Sequence, residues 1–81
     1  MNEDEIRVLL IEDDEEDYLI ARRLLTRSAE GRFTVVWANS LAAGLERVGP
    51  DIDVVLLDLS LPDSQGWETF AHVRARAPGV A

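Results

Sequence analysis

The stretch Ile6-Arg7-Val8-Leu9-Leu10-Ile11-Glu12-Asp13-Asp14 decides the fold. Its first six residues are aliphatic, partly β-branched and few, which reads as a strand, β1. The segment is apolar on both faces, so it reads as a parallel strand covered by helices on each side. The acids begin where the strand ends. Nine of the sixteen Asp and Glu fall within the first seventeen residues: Glu3, Asp4, Glu5 and then the run Glu12 to Asp17.

The chain repeats this grammar three times. Glu16 to about Ala29 reads as helix α1, with Tyr18, Ala21, Leu24, Leu25 and Ser28 on the inward stripe and Arg22, Arg23 and Arg27 facing away. Acids at its start and arginines toward its end suit the helix dipole. Gly31 breaks it. Phe33 to Ala38 reads as β2, with Phe33, Val35 and Trp37 on one face. Asn39 or Ser40 is expected to cap α2, with Leu41, Leu45 and Val48 inward and Gly49-Pro50 at its end. Asp53 to Leu57 reads as β3, again apolar on both faces, and Asp58 follows it. A loop from Leu59 to Gly66 leads to α3, from about Trp67 to Arg76, which Pro78 and Gly79 close. No linker, low-complexity segment or domain boundary interrupts the series.

Alternating strands and helices with short connections imply parallel strands and right-handed crossovers. The third strand is as apolar as the first, yet among three strands the first is the natural centre and the third lies at an edge. This predicts an incomplete α/β domain, or one whose open β3 edge is completed by another molecule, including a second copy.

Composition narrows the function. The 81 residues carry sixteen acids against eight bases, a formal charge of −8, and every base is an arginine. Nucleic-acid binding is driven by Lys and Arg neutralising phosphates, so this balance argues against it. It argues equally against anionic membrane surfaces. No apolar run approaches the roughly 20 residues that a membrane span needs, and the acidic N-terminus does not read as a signal peptide. There is no cysteine, hence no disulfide, thiolate metal site or Cys nucleophile. A reducing, cytoplasmic setting is the expectation.

In open parallel sheets, sites form outside the carboxyl ends of the strands. Here β1 ends in Glu12 and Asp13, and β3 ends in Asp58. If these strands are neighbours, three carboxylates converge, and like charges that close need a counter-cation. A hard, oxygen-seeking dication is the simplest remedy, and Mg²⁺ is the better fit, because it uses one or two carboxylates plus waters and leaves room for a phosphoryl oxygen. Asp58 then becomes a plausible nucleophile, since aspartate can form an acyl phosphate.

Two stretches also carry a family resemblance: Val8-Leu9-Leu10-Ile11-Glu12-Asp13-Asp14, and Val54 to Leu57 leading into Asp58-Leu-Ser-Leu-Pro-Asp-Ser-Gln-Gly66. Together they closely resemble the receiver domain of bacterial two-component response regulators, over essentially the whole chain. The resemblance implies a flavodoxin-like, doubly wound α/β sheet of order 2-1-3, with 1–81 as the N-terminal part of one receiver domain. It implies that Asp58 is the phosphoacceptor for a histidine kinase or phosphotransfer protein. Glu12 and Asp13 match the acidic pair that holds Mg²⁺, with Asp58 and the backbone carbonyl of Ser60 as further ligands. Asp13 and Asp58 would bind directly and Glu12 through water. Pro62 and Gly66 match the turn that shapes the loop. The family also places a Ser or Thr at the end of its fourth strand and a Lys at the end of its fifth. The sequence stops near where that fourth strand would begin, and it contains no lysine.

Other readings compete. An interaction module that keeps the fold without phosphotransfer would associate through the β3 edge. A Mg²⁺-dependent phosphohydrolase would need an aspartate two residues after the nucleophile, where Ser60 stands. An EF-hand starting at Asp13 fails, because its sixth position is Tyr18 and not glycine. His72, four residues after Glu68 on α3, reads as an exposed helix residue, not as a phosphohistidine or ligand. Trp37 and Trp67 read as core or rim packing. Arg22 and Arg23 read either as a solvated helix face or as a kinase contact.

Overall fold

The computed structural model describes residues 5–28, 32–58 and 60–76. Three parallel strands, β1 (Ile6–Ile11), β2 (Phe33–Ala38) and β3 (Val54–Leu57), form one sheet of order β2-β1-β3. The register runs from Ile6↔Phe33 to Ile11↔Ala38 on one side of β1, and from Val8↔Val54 to Ile11↔Leu57 on the other. The expected doubly wound α/β arrangement with β1 central is therefore present. Its carboxyl end brings Glu12 level with the residues after β3. The expectations for Glu3, Asp4, Ala29, Gly31, Leu59, Pro78 and Gly79 lie outside the described residues.

Side-chain alternation along β1 sorts the core into two layers. Leu9 and Ile11 are fully buried in a cluster with Ala38, Leu41, Ile52, Leu61 and Val73, beneath α2 (Leu41–Arg47) and α3 (Trp67–Arg76). Burial of each such side chain contributes about 1.5–3 kcal/mol. Val8 and Leu10, also buried, point to the opposite face. There α1 (Glu15–Ser28) packs on β2, with Tyr18 stacked on Trp37.

The helix ends follow local chemistry. Asp14 Oδ1 accepts from the N–H groups of Glu16 (2.8 Å) and Asp17 (3.4 Å), capping α1 one residue earlier than the sequence suggested. Ser40, not Asn39, caps α2: its Oγ accepts from Ala43 N–H at 3.1 Å. The helix ends at Arg47, where Val48 N–H donates to Gly44 O, before the Gly49-Pro50 pair is reached.

Several expectations need correction. Leu24, expected on the inward stripe of α1, is 60% exposed, and Leu19 and Ile20 are exposed in large part too. Tyr18, Ala21 and Leu25 are the half-buried members of that stripe, and the Ser28 side chain lies outside the described residues. β3, apolar on both faces in sequence and at the edge as expected, leaves Leu56 37% exposed. By register Leu56 shares the face of Leu10, where α1 lies over β2. Trp67 is neither core nor rim: it is 73% exposed and stacks on Phe70 at a centroid distance of 4.9 Å. The loop after Asp58 is not irregular throughout. It folds into a two-rung antiparallel hairpin, β4 (Ser60–Leu61) and β5 (Ser64–Gln65), with Pro62 and Asp63 between them.

Candidate metal centre

The hairpin after β3 is anchored at both ends. Leu61 is buried in the core cluster, and Gly66 adopts φ +63°, a left-handed conformation in which a Cβ is costly. Asp63 reaches across to α2. Its Oδ1 accepts from Leu41 N–H and its Oδ2 from Ala42 N–H, each at 2.9 Å. The donation from Ala42, then that from Leu41, holds the Asp63 carboxyl below the usual carboxylate range.

Glu12, Asp13 and Asp58 converge at the carboxyl end of the sheet. Each offers a carboxylate oxygen, and these lie within 4.8 Å of one another. The backbone sets this geometry. Glu12 N–H donates to Ala38 O and Asp58 N–H to Ile11 O, both at 2.9 Å, which ties both acidic segments into the sheet. Asp58 Oδ1 accepts from Ser60 N–H at 2.9 Å, and Glu12 Oε1 from Asp14 N–H at 3.1 Å. Asp13 is exposed, while Glu12 and Asp58 are half-buried.

Electrostatics fits this crowding. The Glu12 carboxyl is raised above its ordinary range, first by desolvation and then by the charge of Asp58 and hydrogen bonds to Asp58 and Asp13; the Asp14 N–H works in the opposite direction. Among the described residues no arginine pairs with the three acids. The one arginine–carboxylate ion pair among the described residues, Arg7 with Asp51 at 3.8 Å, lies at the opposite end of the sheet. Three hard oxygen donors with no protein cation between them suit a small dication with oxygen preference.

Residues 8–81 match the response regulator receiver domain family. The chain belongs to this family. The receiver is 34% identical over 68 residues to an uncharacterized transcriptional regulatory protein, YrkP, of Bacillus subtilis, covering 84% of this chain and 28% of that protein. It is 32% identical over 80 residues to the two-component response regulator ORR1 of Oryza sativa subsp. japonica, covering 89% of this chain and 35% of that protein. The non-phosphorylated HemR receiver domain from Leptospira biflexa superposes with a TM-score of 0.71 at 28% identity, covering 94% of this chain and 60% of that one. The receiver thus spans about a third of the curated relatives' length. No described helix is long and apolar enough to cross a membrane.

The structure brings together three of the four expected site residues, Glu12, Asp13 and Asp58. The fourth, Ser60, is adjacent, and the contact it makes is through its N–H to Asp58. His72 is exposed on α3, as expected. Three contributors to the site escaped the sequence reading. Asp14 caps α1 and orders the acidic loop, and its place just before a helical stripe was a usable signal. Asp63 and Trp37 act across 22 and 25 residues of sequence, and no local pattern announces such contacts.

Proposed function

We propose that this receiver accepts a phosphoryl group on Asp58 from a phosphohistidine of a histidine kinase or phosphotransfer protein, as a cytoplasmic signalling domain and not a classical enzyme. The observation that carries the reading is the convergence of Glu12, Asp13 and Asp58 within 4.8 Å. In the transfer, an Asp58 carboxylate oxygen bonds to phosphorus as the phosphorus–nitrogen bond to the donor imidazole breaks. The Ser60 N–H orients the Asp58 carboxylate. Mg²⁺ would be held by Asp13 and Asp58, by Glu12 through water and by the Ser60 carbonyl. When bound, it would neutralise charge on the phosphoryl oxygens in a reaction governed by positioning and electrostatics. Residues 1–81 form the N-terminal part of the domain in this reading. With no lysine among them, the cation that the family places at its fifth strand is not supplied by these residues.

The test is incubation with Mg²⁺ and acetyl phosphate, followed by intact mass measurement, with Asp58→Asn in parallel. A phosphoryl adduct on the unmodified chain alone is the expected outcome. A folded chain that takes up no phosphoryl group would sink the reading for these residues.

The open edge of β3 favours a second reading, an interaction module that does no phosphotransfer. Among the described residues β3 pairs with β1 alone, and Leu56 is 37% exposed. Unpaired edges of this kind recruit further strands, here from a second copy. Light scattering tests it: a strictly monomeric, cooperatively folded chain would contradict it.

A further inference from the structure

β1 ends at Ile11, so the carbonyl of Glu12 lies past the last residue of the strand. That carbonyl belongs to the peptide unit joining Glu12 to Asp13, the two acids that face Asp58. It accepts a hydrogen bond from the indole of Trp37, with Nε1 to O at 2.6 Å. The other side of Glu12 is fixed too, because its N–H donates to Ala38 O at 2.9 Å. Two successive residues of β2 therefore grip Glu12, one through its backbone and one through its side chain.

The indole is itself held. Tyr18 stacks on Trp37 with ring centroids 4.2 Å apart and planes 5° from parallel. Tyr18 lies in the first turn of α1, and its N–H donates to Asp14 O at 3.0 Å. The contacts close a ring: Glu12 to Trp37, Trp37 to Tyr18, Tyr18 to Asp14, and Asp14 N–H back to the Glu12 carboxylate at 3.1 Å. The ring ties down both ends of the acidic segment 12–14, Glu12 and Asp14, with Asp13 exposed between them. Rotation of the Glu12–Asp13 peptide, which would redirect the Asp13 side chain, requires breaking the indole bond.

We propose that Trp37 is a positioning residue for the metal centre: its indole N–H fixes the Glu12–Asp13 peptide so that both carboxylates face Asp58. Tyr18 acts through Trp37 by holding the ring in place. This rests on the reading of Glu12, Asp13 and Asp58 as a Mg²⁺ site. A ligand set held in its binding geometry before the ion arrives binds more tightly than one that must be ordered on binding.

Calorimetric titration of Mg²⁺ into the unmodified chain and Trp37→Phe tests the proposal. Phenylalanine keeps an aromatic ring against Tyr18 and removes the donor. Loss of one hydrogen bond that orders the ligands should raise the Mg²⁺ dissociation constant by roughly fivefold. Ile52→Val, a core change below the start of β3, is the control for general destabilisation, and it should leave Mg²⁺ affinity unchanged. Trp37→Phe binding Mg²⁺ as tightly as the unmodified chain, or no more weakly than Ile52→Val, would overturn the proposal while leaving the metal site intact. An unmodified chain that binds no Mg²⁺ overturns the metal reading, and the proposal with it.

A second measurement needs no variant and decides the matter if Trp37→Phe does not fold. The Trp37 indole N–H resonance should shift on Mg²⁺ saturation, while that of the exposed Trp67 stays in place. A Trp37 signal unmoved at saturation would refute the coupling.

Discussion

The Asp63 carboxylate, five residues past Asp58, accepts the backbone N–H of Leu41 at 2.9 Å and that of Ala42 at the same distance. The loop that follows the candidate acceptor is thereby fastened to the first turn of α2, where helix N–H groups otherwise lack partners. Ser40 takes the N–H of Ala43, so two side chains divide the work of one helix start. Asp63→Ala should lower the melting temperature and loosen the 58–66 loop. The pH dependence has a definite sign. The folded-state pKa lies below the ordinary value of 3.8, so the stabilisation is present above that value and is lost as pH falls through the depressed pKa. Melting curves of both proteins should differ most near neutrality and converge in acid. A gap that persists at the lowest pH would contradict the carboxylate's role.

Gly44 and Ile11 are packed too closely for a side chain between them. A Cβ on Gly44 would lie 2.7 Å from Ile11 Cγ1 and closer still to Cδ1. Ile11 is fully buried, so it has little room to yield. Gly44→Ala should destabilise by about 1–3 kcal/mol despite the better helix propensity of alanine. Ile11→Val removes Cδ1 and alone should cost about 0.5–1.5 kcal/mol. The double variant should lose less than the sum of the two. Urea denaturation of all four proteins measures this coupling, and simple additivity would refute the clash.

Gly66 tests the turn that ends the hairpin after β3. Its φ of +63° is the observation that matters, because no atom beyond Gly66 and its two chain neighbours lies within 4 Å of where a Cβ would stand. Gly66→Ala should therefore cost about 1–2 kcal/mol through backbone strain alone. Gly66→Asn should cost less, since asparagine tolerates this region. Equal stability of the alanine and asparagine variants would point away from backbone conformation as the cause.

How much of this was legible in the sequence depended on the range of the signal. The strands announced themselves through short aliphatic runs, and the parallel order followed from their alternation with helices. Glu12, Asp13 and Asp58 were found because each stands at the carboxyl end of an apolar strand, and the fold brings strand ends together. Periodicity misplaced Leu24, because α1 touches the sheet along a narrower stripe than its apolar residues suggest. The β4–β5 hairpin, the Asp63 clamp and the Trp37–Glu12 bond were not legible. The hairpin pairs only two residues on each side of Pro62-Asp63, too short a run for an alternating pattern to show, and the other two join groups whose meeting depends on side-chain reach across the folded chain, which neither spacing nor propensity encodes.

The crowding of Glu12, Asp13 and Asp58 predicts that the site works against the metal-free fold. Desolvation and the neighbouring charge of Asp58 both raise the Glu12 carboxyl, so part of the folding free energy is spent holding like charges together. Asp58→Asn removes one of these charges and keeps the shape. In the presence of a chelator, Asp58→Asn should therefore melt at a higher temperature than the unmodified chain. For a domain of this size, each 1 kcal/mol of relieved repulsion raises the midpoint by about 4–8 °C. Mg²⁺ should reverse the order. An ion bound only by the folded state stabilises by about 2.7 kcal/mol at a hundredfold excess over its dissociation constant. Asp58→Asn, with one ligand charge fewer, should gain less. Thermal melts of both proteins with chelator and across a Mg²⁺ series provide the measurement. A variant less stable than the unmodified chain without metal would show that Asp58 serves the fold, through its bond to Ser60 N–H, more than it serves an ion.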